Sequence, residues 1–241
     1  MKLAHAALAI AAAAALPWSA ATAADIDSLQ TLAQNEFRLL SEDLAAALSF
    51  KPLIPSEAMG LTGFDVGLAV TGTTLKNPVL LSKAARGQEV PRTLPVPSLR
   101  AHKGLPFNID VGVLYATAPD TNIRMLGGEL RWAVLPGTTL VPAVALRIAA
   151  TRLDGVDQLK FETLSGDISV SKGFAAFTPY GGIGQVRSKS TPQNVPLLRA
   201  EKFEQTKVFA GVNINLGVNF AFEIDSTGGI TSYGAKIGVR F

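Results

Sequence analysis

The sequence predicts an all-β protein: a closed antiparallel transmembrane β-barrel of about ten strands, preceded by a signal peptide and one N-terminal amphipathic helix. Three observations predict it: the apolar start of the chain, the change of hydrophobic period near Gly63, and the unusual composition of the two strand faces. Apolar residues recur at every second position after that change, which is the period of strands. The predicted organisation is a signal peptide at 1–23, a helix and linker at 24–62, and a barrel at 63–241.

The first residues have the parts of a secretory signal peptide. Lys2 gives a basic start, residues 6–16 are an unbroken apolar run, and Ala21-Thr22-Ala23 offers a cleavage site. The alternative is a membrane-anchoring helix, which requires roughly 20 apolar residues and therefore a longer run than this one. We expect export and cleavage after Ala23.

Composition narrows the functional classes. The chain contains no cysteine, so neither a disulfide framework nor thiolate chemistry is expected. Its formal net charge of +3 is too small to indicate a nucleic-acid partner. The mature chain has no run of roughly 20 apolar residues that would predict a membrane-spanning helix.

Residues 25–48 are predicted to form one amphipathic helix. Acidic residues suit the N-terminus of a helix, and Asp25 and Asp27 occupy that place. Lys51-Pro52 and Ile54-Pro55 end the helical pattern. The apolar positions at helical spacing are Ile26, Leu29, Ala33, Phe37, Leu40, Leu44 and Ala47.

Alternating apolar residues predict the strands that follow. Two further segments, 158–172 and 174–188, are predicted as strands without an assigned facing, because their apolar phase slips and a bulge could shift either. A tenth strand over 93–101 is interrupted by Pro95 and Pro97; with only nine strands the two chain ends would lie on opposite sides. The clearest strands cover 64–70, 107–115, 127–135, 140–150, 206–217, 218–225 and 231–241.

The two faces of these strands indicate the solvent that each one meets. One face is bulky and apolar, while the other is rich in Gly, Ala and Asn and carries fewer charges than the 25–35% typical of a water-facing surface. An apolar face toward lipid and a polar face toward a lumen fit this pattern. A secreted soluble barrel or sandwich is the alternative. The charged residues predicted to face the lumen are Asp110, Glu129, Arg131, Arg147, Lys207, Glu223, Lys236 and Arg240.

The last strand carries a resemblance to a known class. Residues 233–241 alternate apolar and polar residues and end on Phe241. Together with the signal peptide, this strand resembles those of Gram-negative outer-membrane β-barrel proteins. The resemblance implies a place in the outer membrane, contact with its lipid and lipopolysaccharide, and recognition by the barrel-assembly machinery through Tyr233, Ile237, Val239 and Phe241. It leaves the oligomeric state open.

The predicted helix is expected on the periplasmic side, against or partly across the barrel mouth. A helix with its side chains is about 10–12 Å wide, which is large for a ten-strand interior already lined with side chains. Full insertion as a plug is therefore the less favoured arrangement. The apolar stripe still needs a partner, which could be the rim, a second copy or another envelope protein.

Little in the sequence points to catalysis. His102, the one histidine of the mature chain, falls in a predicted short turn at 102–106 and is expected at the surface. Ser98 lies four residues away, but no acid is evident beside them, so a Ser-His-acid arrangement is not predicted. We predict no catalytic residue, no cofactor and no metal site.

The predicted function is that of a non-enzymatic outer-membrane barrel. It is either a structural or binding barrel, or a narrow conduit for small or hydrophobic ligands, because about ten strands leave little open interior. The alternatives are a surface adhesin or recognition barrel that acts through its loops, and a lipid-modifying barrel enzyme. The basic loops 76–91 and 188–202 could touch lipopolysaccharide, although ordinary solvated charge is the favoured interpretation.

Overall fold

The computed structural model describes residues 26–117 and 123–241. The predicted signal peptide lies outside the described residues. Ten antiparallel strands close into one barrel, which confirms the predicted fold class. The strands are β1 (Phe64–Thr74), β2 (Thr93–Gly104), β3 (Ile109–Thr117), β4 (Arg124–Leu135), β5 (Ala143–Asp154), β6 (Leu159–Ser171), β7 (Phe177–Pro192), β8 (Glu201–Asn215), β9 (Asn219–Thr227) and β10 (Ile230–Arg240).

Each strand pairs with its neighbour in the chain, and β1 closes the barrel against β10. The strand interrupted by prolines exists as β2. Its pairing with β3 begins only at Ser98, so Pro95 and Pro97 are opposed by β1 alone. A proline is tolerated where its missing N–H removes no ladder hydrogen bond.

The two ends of the barrel differ in their connections. At one end, here called the turn end, β1 begins and β10 ends. The connections at the turn end are 105–108, 136–142, 172–176 and 216–218. The opposite end, the loop end, carries 75–92, the link between β3 and β4, 155–158, 193–200 and the two-residue turn 228–229. Several of these connections are shorter than the sequence predicts, because β5, β7, β8 and β9 extend further toward the loop end than the alternation showed.

Two α-helices accompany the barrel: α1 (Gln34–Leu48) and α2 (Pro78–Ala84), the second inside the β1–β2 connection. Single 3-10 turns cover Leu29–Thr31 and Pro106–Asn108. The predicted helix over 25–48 therefore begins later than expected. Its first turn is fixed by the Glu36 carboxylate, which accepts from the Ala33 N–H at 2.8 Å. Within the described parts of the chain, neither helix is long and apolar enough to cross a membrane.

The structure contradicts the expected position of the helix. α1 lies inside the barrel, where its side chains from Asp43 onward are buried and Ser41 Oγ donates to Ser190 Oγ of β7 at 2.9 Å. It occupies the half of the lumen nearer the loop end, because its preceding residues are bound there: Ser28 N–H donates to the Ala84 carbonyl at 2.9 Å. The lumen admits the helix because the apolar inward side chains of this half pack on α1 instead of filling the space by themselves.

Residues 49–59 continue from the helix through the lumen toward the turn end. They contain neither helix nor strand, bend at Ile54, Ser56 and Glu57, and are almost wholly buried. Near the turn end, the Met59 N–H donates to Asp110 Oδ1 at 3.2 Å, and the chain then leaves the lumen and enters β1. We call residues 26–59 the plug, with the helical part in the loop half of the barrel and the extended part in the turn half.

The uncertain facing of β6 and β7 is resolved without a bulge, since both strands keep an unbroken register with their neighbours. In β6, Phe161 faces the lumen, whereas Leu164 and Ile168 face outward. In β7, Val186 faces the lumen and Ile183 faces outward. The apolar phase slips because the inner face itself becomes apolar where it meets α1.

Candidate functional site: the occupied lumen

The outer surface of the turn half is an apolar band. Leu146 and Ile148 of β5 and Val208 of β8 are typical of it, each about half exposed. Aromatic side chains flank the band, as in transmembrane barrels: Phe64, Phe107, Trp132, Phe174, Phe177 and Phe241 toward the turn end, and Tyr115 and Tyr233 toward the loop end. Closure leaves the sheet without an edge strand, as lipid requires. The chain is a transmembrane β-barrel of the outer-membrane type.

The residues predicted to face the lumen are all on the inward parity of their strands. All of them are buried except Arg240, which lies at the turn end and is half-buried. They gather in the turn half. Their charges are balanced by partners that the sequence argument did not single out, above all Asp65, Asp167 and Asp225.

The three shortest ion pairs between adjacent strands of this half bury both partners. Arg131 Nη2 lies 2.6 Å from Asp110 Oδ2, and Lys236 Nζ lies 2.7 Å from Asp65 Oδ1. Arg147 Nη2 lies 2.6 Å from Asp167 Oδ1. Buried charges are tolerated only when paired and hydrogen-bonded, so these pairs fix the inner wall as a rigid polar surface.

His102 is not on a surface turn, which corrects the sequence prediction. β2 continues to Gly104, and His102 points into the lumen with its side chain fully buried. Its Nε2 lies 3.3 Å from Glu129 Oε1, and its Nδ1 lies 3.9 Å from Asp65 Oδ1. Among the described residues neither ring nitrogen makes a hydrogen bond, so no hydroxyl nucleophile is within its reach.

The wall binds the extended part of the plug mainly through the plug's backbone. Cationic wall side chains donate to plug carbonyls: Lys207 to Phe50 and Arg131 to Pro55. An acceptor on the wall receives a plug N–H, since Ser171 Oγ accepts from Ser56 at 3.0 Å. Such contacts satisfy the buried backbone of a segment that has no secondary structure of its own.

One plug side chain joins the polar network directly. Lys51 is buried, and its Nζ lies 3.5 Å from Asp225 Oδ1. Lys207 Nζ lies 3.4 Å from Asp225 Oδ2, so one carboxylate serves two ammonium groups. Lys51 also donates to the Ala46 carbonyl in the last turn of α1, which orients the plug where helix changes to extended chain.

The helical part of the plug meets an apolar wall instead. Phe37, Leu40 and Leu44 of α1 are buried in one cluster with inward residues of the barrel. The wall residues of this cluster are Leu114, Ala116, Met125, Ala149, Leu153, Leu159, Phe161 and Phe203. The apolar stripe that lacked a partner in the sequence therefore packs on the inner wall of the same chain.

Polar contacts fix α1 at the loop end. The Asp43 carboxylate accepts from the backbone N–H groups of Lys76 (3.1 Å) and Asn77 (2.7 Å) just after β1. Burial raises the pKa of Asp43 above its usual range, and these two hydrogen bonds act in the opposite direction. Lys83 of α2 pairs with Glu36 at 2.7 Å, and its hydrogen bond lowers the pKa of that carboxyl.

Several interior residues were missed by sequence reasoning. Arg100 lies in the uncertain strand β2, and Asp167 lies in the segment whose phase slips. Asp65 and Asp225 were on the polar parity but were not singled out. Lys51 gave no signal, because a lysine before a proline in a linker is ordinary.

The residues of the predicted assembly signal lie on the outer face of β10 and at its end. Tyr233 and Phe241 are well exposed, whereas Ile237 and Val239 are partly exposed. The ring of Phe241 stacks on that of Phe64 with a centroid distance of 5.0 Å. Its backbone exchanges two hydrogen bonds with the same residue.

Within residues 26–117 and 123–241 no group of three or more His, Asp or Glu side chains could hold a metal ion.

No protein-family model and no curated protein matches the chain. Among solved structures, Ail of Yersinia pestis, in complex with the heparin analogue sucrose octasulfate, is 10% identical, with 74% of this chain and 97% of that chain covered and a TM-score of 0.29. Neisserial surface protein A is 11% identical, with 74% and 94% covered and a TM-score of 0.30.

Proposed function

We propose that the protein is a non-enzymatic outer-membrane barrel that works as a narrow conduit and is kept closed by its own N-terminal plug. The observation that carries this proposal is that the plug fills a lumen whose wall is polar in the turn half. Wall side chains alone fill a barrel of about eight strands, so a ten-strand barrel leaves space, and here the plug occupies it.

The type of contact between plug and wall also supports displacement. In the extended part, most contacts are single hydrogen bonds between wall side chains and the plug backbone, which donates in some and accepts in others. Each such bond contributes only about 0.5–3 kcal/mol net, because water replaces it when the plug moves. The three short ion pairs between strands lie within the wall, and Asp225 keeps Lys207 as a partner when Lys51 leaves.

The chain offers a direct test because it contains no cysteine. Ser56 Oγ of the plug and Ser169 Oγ of β6 are 2.9 Å apart, so Ser56→Cys with Ser169→Cys should form a disulfide that locks the plug. Thr73 and Ser232 lie opposite each other across β1 and β10, with side-chain oxygens 2.8 Å apart. Thr73→Cys with Ser232→Cys is therefore the matched control, which locks the wall only.

Conductance in planar bilayers is the measurement. We expect discrete openings in the wild type and in both reduced variants. Oxidation should abolish them in the plug-locked variant and leave them in the wall-locked variant. A barrel that never conducts in any of these states would contradict the conduit and leave a structural barrel. Openings that persist after oxidation of the plug lock would show that ions pass elsewhere.

The lipid partner proposed for the barrel is lipopolysaccharide, at the outer face of the loop half. Lys189 of β7 and Lys202 of β8 are directly opposite each other, and both are exposed. Like charges in that position repel, and a headgroup phosphate would offset the repulsion. Added lipopolysaccharide should raise the melting temperature of the wild type more than that of a Lys189→Gln, Lys202→Gln double variant. Equal shifts in melting temperature would show that these two lysines do not bind lipopolysaccharide.

A further inference from the structure

One residue of the plug, Leu53, is held by a cation, an anion and an apolar pocket. Arg100 donates to the carbonyl of Lys51, two residues before it. The Leu53 N–H donates to Glu223 Oε2 at 2.9 Å. The backbone of residues 51–53 thus lies between two wall groups of opposite charge.

Neither Arg100 nor Glu223 forms an ion pair with another side chain of the described residues. Within the described chain, no carboxylate lies within 4.0 Å of the Arg100 guanidinium, and no cationic group lies that close to Glu223. Glu223 accepts from the Tyr180 hydroxyl at 2.9 Å, but its Oε1 is buried without a hydrogen-bond partner. Asp65, Asp110 and Asp167 are each paired with a cation of a neighbouring strand, so we take the unpaired Arg100 and Glu223 to be arranged for something that lies between them.

The side chain of Leu53 occupies a pocket of small residues. It is fully buried against Ala69 of β1 and Ala221 of β9. Gly234 of β10 completes the pocket, since a Cβ there would lie 2.8 Å from Leu53 Cδ2. Three neighbouring strands therefore each contribute a residue small enough to admit one aliphatic side chain.

The resident residue is not relaxed in this site. Leu53 has a φ of 50°, in the left-handed region that residues with a Cβ disfavour. The strain is imposed by the route of the plug, which is continuous with β1 at one end and α1 at the other. A peptide with free ends could place the same side chain and backbone groups without this constraint.

We propose that Arg100, Glu223 and the pocket of Ala69, Ala221 and Gly234 form a binding site for an apolar residue of an extended peptide, with Leu53 as its resident occupant. A peptide offers a carbonyl for the cation, an N–H for the anion and an aliphatic side chain for the pocket. The inference rests on the proposed function, because the plug must leave before another peptide enters. It names the class of solute that the open conduit recognises.

The test uses the full chain, folded and then nicked. Residues 60–62 are exposed at the turn end, so a site-specific protease sequence inserted after Leu61 can be cut in the folded barrel. A fluorophore on the plug then reports its release by fluorescence anisotropy. The competitors are a peptide of residues 49–59, the same peptide with Leu53→Gly, and one in which only Leu53 is kept and the other side chains are changed.

We expect the native peptide and the peptide that keeps only Leu53 to release the plug at similar concentrations. The Leu53→Gly peptide should need about 10–100-fold more, the value of one buried leucine side chain. Glu223→Gln should weaken the plug and the peptide alike, so its effect is measured as direct binding of a labelled native peptide to the barrel after the nicked plug has been removed. This binding should be about tenfold weaker than in the wild type. Glu204→Gln, on the exposed outer face of the same sheet, is the control and should change nothing. Ala69→Val, which narrows the pocket, should also weaken the native peptide.

Two results would overturn the proposal: no release by any peptide, or release that does not depend on the residue at position 53. The disulfide lock separates this failure from failure of the conduit. If the plug lock controls conductance but no peptide releases the plug, the conduit stands and the peptide site is wrong. If neither effect occurs, the plug is a fixed part of the barrel core and both proposals are wrong.

Discussion

The two halves of the barrel bury opposite kinds of side chain. In the turn half the outer face is apolar and the lumen is charged, as seen in Ile148 outside and Arg147 inside on β5. In the loop half of the same strand the order reverses: Arg152 is outside and Leu153 is inside. One strand thus has the pattern of a membrane protein, apolar outside and polar inside, in its turn half. It has the pattern of a soluble protein, polar outside and apolar inside, in its loop half.

The difference follows from what each half touches. Lipid surrounds the turn half, and an apolar outer face costs nothing there, whereas the interior can hold paired charges. Water surrounds the loop half, so exposed pairs such as Arg187–Glu204 cover its outside, and α1 supplies an apolar core. The loop half is stabilised by the hydrophobic effect, while hydrogen bonds and ion pairs organise the turn half.

The largest expected effect comes from the core of the loop half. Phe37→Ala, at a fully buried position of α1, should lower the free energy of unfolding by about 3–5 kcal/mol. Phe222→Ala, on the lipid face of β9, is the control; its ring is already 49% exposed at the protein surface and should lose much less. Urea unfolding in lipid vesicles measures both. Equal losses would mean that α1 adds no core to the barrel.

A charge placed outside the barrel should distinguish the halves on one strand. Val212 and Glu204 share the outward parity of β8, the first in the turn half and the second in the loop half. Val212→Arg should cost about 2–4 kcal/mol, because it places a charge in lipid. Glu204→Arg should cost only about 0.2–1 kcal/mol, the value of its exposed pair with Arg187. Similar costs at the two sites would show that the boundary between lipid and water is misplaced.

The same reversal explains what the sequence could and could not predict. Alternation predicted the strands of the turn half and the parity of their lumen charges, because lipid outside imposes a regular pattern. It failed for Leu159 and Phe161, whose inward apolar side chains only make sense once α1 is known to lie inside. It also misplaced His102, since an inward histidine beside a lysine and a glycine resembles a turn.

The position of the plug could not be predicted from the sequence, and the reason is physical. A helical stripe shows that α1 needs an apolar partner, but not which one. Its partner is assembled from inward residues of strands between β3 and β8, which lie tens of positions apart in the sequence. The inward side chains of these strands are apolar only near the loop end. The extended part is bound through its backbone, and backbone recognition leaves almost no trace in the side chains of residues 49–59.

The end of the chain allows assembly and stability to be separated. We propose that Phe241 is part of the signal for barrel assembly, and it also stacks on Phe64. Deleting Phe241 should reduce the amount of folded barrel in cells, measured by heat-modifiable migration. Phe64→Ala removes the same ring contact, worth about 0.5–1.5 kcal/mol, but keeps the terminal residue. If both variants assemble equally well, the terminal phenylalanine has only its packing role.

The smallest effect concerns a pH-dependent contact in the loop half, where water reaches the protein. Glu36 accepts from Lys83 at 2.7 Å and from the Ala33 N–H at 2.8 Å, and the Lys83 contact is the main cause of its lowered pKa. Because the carboxyl has a lower pKa in the folded state than its usual 4.5, its contribution is present above that value and is lost as the pH falls through the folded pKa. Glu36→Gln should therefore lower the melting temperature slightly at pH 7 and not at all in strong acid. Lys83→Gln should show the same dependence, since it removes the other partner. A loss that is equal at both pH values would assign the effect to the neutral hydrogen bond at the start of α1 and not to the charge.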